Sequence, residues 1–226
     1  MVSARLPRES LFLSYQILYK SEFFVTVDKP AGILSVPSRQ GGADPRRVLG
    51  VELEKQLGVR LWPVHRLDEE VSGAILFALS APAHKAANTW FENRLVEKTY
   101  EALSLSDGGM KEGELYTWRC KIARGKKRAY IHEVIGKESW TEAKLMGPVA
   151  DYFFWRLCPK TGRSHQLRFE MARHLVPIAG DQLYGGAQWN KPGIGLRSVE
   201  LDFSKIPAED RWGLPAQIIA QTLRDL

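Results

Sequence analysis

The sequence predicts an α+β fold, a mixed and largely antiparallel sheet with flanking helices. Three observations lead there. Strand-like and helix-like segments are interleaved along the 226 residues. Long crossover helices, which a parallel sheet requires, are few. Composition is that of a globular chain, 44% hydrophobic and 26% charged, which excludes disorder as the whole answer. A chain of this length buries a substantial core without staples.

The elements follow in order. Phe23 to Val27 (FFVTV) is β-branched and aromatic and reads as the first strand. It ends in the turn signal Asp28-Lys29-Pro30-Ala31-Gly32. Val48 to Leu57 suits a short amphipathic helix stopped by Gly58. Ala74 to Leu79 (AILFAL) reads as a buried strand. Ser80 is then an N-cap and Pro82 fits a first helical turn, so a helix runs to about Leu95. Tyr100 to Leu105 and Tyr152 to Cys158 read as strands. Ser164 to Leu175 reads as a helix with Leu167, Met171 and Leu175 on one stripe. Gly180 and Gly185-Gly186 mark turns. Most of the seven Trp and nine Phe are expected in the core.

Several classes are excluded. Two cysteines, Cys120 and Cys158, make neither a disulfide scaffold nor a zinc ribbon. The longest uncharged stretch, Val71 to Ala83, is too short to span a bilayer, so no membrane association is expected. The first ten residues carry three charged side chains and no apolar run, unlike a secretory signal. A reducing, cytoplasmic setting is the expectation. There is no phosphate-binding P-loop, dinucleotide fingerprint, nucleophile elbow or zinc-binding His pair, so neither cofactor nor metal is implied.

Lys plus Arg number 32 against 26 Asp plus Glu, a net charge of +6. Arg119 to Arg128 (RCKIARGKKR) holds six basic residues in ten and no acid. Lys160, Arg163, Arg168 and Arg173 form a second basic set. Both suit solvated faces and equally a surface that tracks phosphates.

Three segments carry candidate chemistry. In Val64 to Gly73 (VHRLDEEVSG), Asp68 sits beside Arg66 before a buried strand. A carboxylate there, held ionised by a neighbouring cation, suits a nucleophile or base; the same turn also suits plain solvation. In Pro159 to Arg168 (PKTGRSHQLR), a glycine turn leads into a helix start with His165 and Arg168 on one face. Taken by itself, that segment reads better as an ordinary capped helix with a surface arginine. In Lys98 to Ala102, Tyr100 is either a core residue or a phenol offered to a ligand.

Together, in this order, HRLD-x-x-x-SG, K-x-Y-x-A, K-TGR-x-HQLR and GD-x-x-YG resemble the RluA-type pseudouridine synthases. Lys29 to Leu34 (KPAGIL) is similar to the motif that precedes them. The resemblance runs from about Asp28 to Gly185 and implies one catalytic domain over residues 1–226, with 1–22 an N-terminal extension and no room for an S4 RNA-binding domain. It implies that Asp68 is the catalytic aspartate and Tyr100 the active-site tyrosine packed against the target nucleotide. It makes Arg168 the basic partner of the aspartate. Arg66 would enter the space left by a flipped base, and Leu196 would line the uracil pocket. Lys126, Lys127, Arg128 and Arg163 are expected RNA contacts. Two departures stand out. Val71 replaces a usual Thr, and Leu196-Arg197-Ser198 replaces a usual Leu-His-Ala.

The implied activity is isomerisation of a uridine to pseudouridine in ribosomal RNA or tRNA, after base flipping, by a cofactor-free monomer. A non-catalytic RNA-binding or ribosome-assembly protein on the same scaffold is the alternative. A metal-free hydrolase using Asp68 with Glu69 or Glu70 is a third reading.

Overall fold

The computed structural model describes residues 15–38 and 44–225. Residues 1–14 of the expected N-terminal extension lie outside the described residues. The strands are β1 (Gln16–Lys20), β2 (Phe24–Lys29), β3 (Trp62–Pro63), β4 (Ser72–Ala78), β5 (Glu97–Ser104), β6 (Leu115–Arg124), β7 (Ala129–Ile131), β8 (Lys137–Val149), β9 (Tyr152–Pro159), β10 (Leu196–Asp202) and β11 (Gln217–Ile219). The helices are α1 (Leu49–Leu57), α2 (Ala81–Glu92) and α3 (Gln166–Arg173). The strands join one sheet in the order β1-β2-β4-β10-β5-β9-β8-β6-β7, with β3 on β4 and β11 on β10. Among the described strands only β4 and β10 pair in parallel.

The helix signals act as the local chemistry dictates. Ser80 accepts a hydrogen bond from the Ala83 amide and starts α2 with Pro82 in its first turn. Gly58 closes α1 in the left-handed conformation, φ 68°, and donates to the Glu54 carbonyl. α3 is shorter than the expected helix. It ends at Arg173, and Leu175 leaves the apolar stripe with φ 63° and 75% exposure. The buried side of α3 is Leu167 and Met171, joined by the polar Gln166, Arg168 and Glu170.

Two apolar layers cover the sheet. On one face Val25, Val27, Ile75 and Phe77 pack with Leu53 of α1 and Met171 of α3. On the other, Phe24, Leu76 and Ala78 pack with Trp90 of α2 and with Phe203 and Leu214. Alternate residues of β2 and β4 thus serve opposite layers, as a period of two requires. β4 is buried on both faces, which is why AILFAL reads as a continuous apolar run.

The chain enters the sheet earlier than Phe23, because Gln16–Lys20 forms an edge strand against β2. Its residues are half-buried or exposed, so its sequence carries little strand pattern. β8 alternates strictly, but its buried positions include Ser139, Thr141, Ala143 and Gly147. Small and hydroxylated residues hide that strand from a hydrophobic reading. The basic run Arg119–Arg128 forms the second half of β6 and the turn into β7, and Lys126, Lys127 and Arg128 are exposed there.

Candidate active site

The site forms where β10 separates β4 from β5. Asp68 lies in the turn leading into β4, Tyr100 lies on β5, and Arg168 lies in the first turn of α3. All three line a cavity of about 900 Å³, together with Arg66, Arg163 and Leu196. Lys126, Lys127 and Arg128 do not line it.

The Asp68 turn is held from three sides. Ser35 Oγ donates to the Leu67 carbonyl (2.7 Å) and accepts from the Leu67 amide (3.0 Å). Lys29 is fully buried, and its ammonium donates to the carbonyls of Ile33 (2.8 Å), Pro30 (3.0 Å) and Glu69 (3.2 Å). Burial lowers the Lys29 pKa to about 8, and the charges of Asp68, Glu70 and Glu69 partly offset that. The Ile194 amide donates to the Glu70 carbonyl (3.1 Å) and closes the far side. The KPAG segment thus braces the Asp68 turn with a lysine. The histidine of HRLD is structural. His65 Nε2 accepts from the Leu76 amide (3.0 Å), and burial drives its pKa down to about 3.

Gly73, the last residue of that motif, explains itself by geometry. Its φ is 110°, and a Cβ there would sit 2.0 Å from the Ser198 carbonyl oxygen. Glycine alone lets β10 approach β4 at this level. The departure at Arg197 is also explained. Its guanidinium is buried, pairs with Asp28 and donates to the Gln221 carbonyl (2.7 Å). It ties β10 to β2 instead of reaching the cavity wall.

Arg168 divides its donors among three carboxylates. Nε and Nη2 grip Asp181 in a bidentate pair at 2.6 and 2.8 Å. Nη1 lies 3.1 Å from Glu70 and 3.4 Å from Asp68. Burial pushes the Arg168 pKa down, but the hydrogen bonds and charge of Asp181 outweigh it and hold the guanidinium charged. Asp181 is the aspartate of GD-x-x-YG. Tyr184 of the same motif accepts from the Ala129 amide (2.7 Å), contacts His165 Nδ1 (3.1 Å) and faces the Arg168 guanidinium at 5.6 Å. The GD-x-x-YG motif by itself shows neither role. The missing signal was spatial, because Asp181 lies 13 residues beyond the arginine it clamps.

His165 also reaches Asp68, with Nε2 at 3.8 Å. It holds φ 57° at the start of α3. Burial lowers its pKa, and Asp68 opposes this. Tyr100 is 9% exposed. Its pKa rises to about 12, by burial first, with the Ser198 hydroxyl opposing and Asp68 adding to the rise. The phenol therefore stays protonated at neutral pH. The second basic set is largely committed. Lys160 pairs with Glu142 (2.8 Å), Arg163 donates to the Glu138 carbonyl (2.8 Å), and Arg173 pairs with Glu170 (2.6 Å).

The cavity thus presents a carboxylate between a guanidinium and a neutral imidazole, with a neutral phenol on the neighbouring strand. Such a set can attack or deprotonate a sugar carbon and stack on a base. Comparison with known proteins gives the same direction. The RNA pseudouridylate synthase family matches residues 23–174. The chain is 34% identical over 208 residues to a tRNA pseudouridine synthase C of Vibrio vulnificus, covering 83% of this chain and 84% of that protein. It is 32% identical over 209 residues to the dual-specificity RNA pseudouridine synthase RluA of Pasteurella multocida, covering 87% and 89%. The solved human RNA pseudouridylate synthase domain containing 1 superposes with a TM-score of 0.67 at 26% identity, covering 84% of this chain and 78% of that one. This chain belongs to the RluA-type RNA pseudouridine synthase family and is an isomerase that converts uridine in RNA to pseudouridine.

Proposed function

We propose that Asp68 is the residue that acts on the target uridine, and that the substrate is a uridine in a structured loop of tRNA. The observation that carries the first part is the Asp68 carboxylate in the cavity wall, 3.4 Å from a guanidinium that Asp181 holds from behind. The tRNA reading rests on the names of the relatives. Two routes fit the geometry. Asp68 attacks C1′ and displaces uracil from N1, or it removes the C2′ proton to give a glycal. In both, the C1′–N1 bond breaks, the base turns and C5 joins C1′, as the bond from C1′ to the Asp68 carboxylate breaks in the first route and C2′ regains its proton in the second. The C5 proton is then lost and N1 gains one. Every heavy atom of the base and sugar is conserved and one proton is exchanged for another, so the reaction needs no cofactor.

Tyr100 stacks on the uracil and donates from its protonated hydroxyl, and Leu196 forms the apolar wall beside it. Arg168 steadies the Asp68 charge. A uridine reaches Asp68 only after leaving its stack, a cost of a few kcal/mol that is least in a loop. Arg66, exposed at the cavity rim, fills the gap the base leaves. Arg163 and the exposed Lys126, Lys127 and Arg128 hold phosphates. We read the enzyme as a cytoplasmic monomer in a single domain. Among the described residues no helix is long and apolar enough to cross a membrane.

The test is tritium release from tRNA and ribosomal RNA transcripts carrying 5-tritiated uridine. Release from tRNA is expected, and Asp68→Asn should abolish it while leaving RNA affinity within about threefold. A normal rate in Asp68→Asn would overturn the assignment, and release only from ribosomal RNA would overturn the substrate.

A further inference from the structure

Most cations that reach into the cavity already hold a partner in the protein. Arg168 grips Asp181, Lys160 pairs with Glu142, and Lys205 pairs with Glu97 at 2.7 Å. Lys98 on β5 also lines the cavity but makes no hydrogen bond or ion pair among the described residues. Its ammonium lies 6.0 Å from the Phe91 ring, at the outer limit of a cation–π contact. Opposite it the loop after β9 carries Gly162, where even an added Cβ would stand 3.9 Å from Nζ. Gly162 thus meets the ammonium at contact distance and puts no side chain between it and the cavity that both residues line.

We propose that Lys98 binds the RNA backbone, taking the phosphodiester attached to the uridine that enters the cavity. The assignment rests on the reading of the Asp68–Tyr100 cavity as the uridine site. Strand geometry supports it. Lys98 and Tyr100 are two residues apart on β5, so they project to the same face about 7 Å apart along the strand. A base against Tyr100 leaves a phosphate of the same nucleotide within reach of Lys98, which lines the same cavity. The energetics agree. A partly enclosed cation without a carboxylate is a desolvation cost to the free protein, and burial lowers the Lys98 pKa to about 8. A phosphate offsets that cost and restores the charge, whereas an uncharged uracil carbonyl does so only weakly.

The experiment uses the full chain carrying Asp68→Asn, so that binding is measured without turnover. Lys98→Met and Lys98→Arg are compared on whichever transcript, tRNA or ribosomal RNA, the wild-type chain converts with tritium release. Lys98→Met should weaken RNA binding about tenfold and flatten the log affinity–log salt slope by ~0.7 to 0.9, the loss of one phosphate contact. Lys98→Arg should restore most of both. In the catalytically intact chain Lys98→Met should raise KM more than it lowers kcat. Removing an unpaired cation should leave the melting temperature no lower than wild type, whereas a structural lysine would lower it. An unchanged slope, or a lowered melting temperature with a binding loss that Lys98→Arg does not repair, overturns the assignment. Absence of tritium release from wild type on every transcript is instead failure of the uridine reading itself.

Discussion

Arg168 meets three carboxylates, those of Asp181, Glu70 and Asp68. Its tightest contact is the bidentate grip on buried Asp181, and the Asp68 contact is the longest of the three. Removing one member of a buried pair leaves an uncompensated charge. Asp181→Asn should therefore destabilise the fold by ~3 kcal/mol in urea denaturation, and it should lower kcat because the guanidinium swings toward Glu70 and Asp68. Sequence motifs single out Asp68, Tyr100 and Arg168 as candidates, and the structure brings the three to one cavity. The contacts that Asp181, His165 and Lys29 make around them are not legible in those motifs, since they join segments apart in the chain. Nothing in the spacing of KPAG shows that Lys29 aims its ammonium at three carbonyls around the Asp68 turn.

At the scale of elements, turns and buried strands were readable and polar strands were not. Gly58 and Ser80 marked real helix boundaries because each satisfies a specific backbone need. β8 escaped because the residues it buries are small or hydroxylated. The contact of β4 with β10 yields a sharp prediction. Gly73→Ala would place a Cβ 2.0 Å from the Ser198 oxygen at φ 110°. It should cost more than ~3 kcal/mol of stability, read by urea denaturation, and should reduce activity as β10 is pushed from β4. The β6–β7 hairpin offers a different test. Neutralising Lys126, Lys127 and Arg128 together should weaken RNA binding and flatten its salt slope by up to ~0.9 per lost phosphate contact on a duplex. Unfolding should be unaffected, because all three are exposed.

For the whole molecule, buried titratable groups shape stability against pH. His65 has a depressed folded pKa of about 3 against 6.5. Between those values the unfolded chain binds a proton that the native state refuses. Its contribution is fully present above pH 6.5 and is lost as pH falls toward 3, at up to about 1.4 kcal/mol per pH unit. His65→Gln keeps an acceptor for the Leu76 amide and should flatten this acid limb in urea midpoints taken from pH 4 to 7. Lys29 and Lys98 act on the alkaline side, where both folded pKa values fall to about 8 from 10.5. The unfolded chain again holds the extra protons, so their contribution rises with pH from 8 toward 10. The double variant carrying Met at both positions should lose that rise. The sheet class was readable from composition and alternation, but strand order was not, because it depends on which strand enters last.

That late entry has a consequence for synthesis. β10 wedges between β4 and β5, which are neighbours in sequence among the long central strands. A nascent chain that has not reached Leu196 already contains Asp68, Tyr100 and Arg168, yet it lacks the strand that sets the first two opposite one another. Until that strand docks, β4 and β5 have no common neighbour, so the last of the central strands to be made is the one that completes the cavity wall.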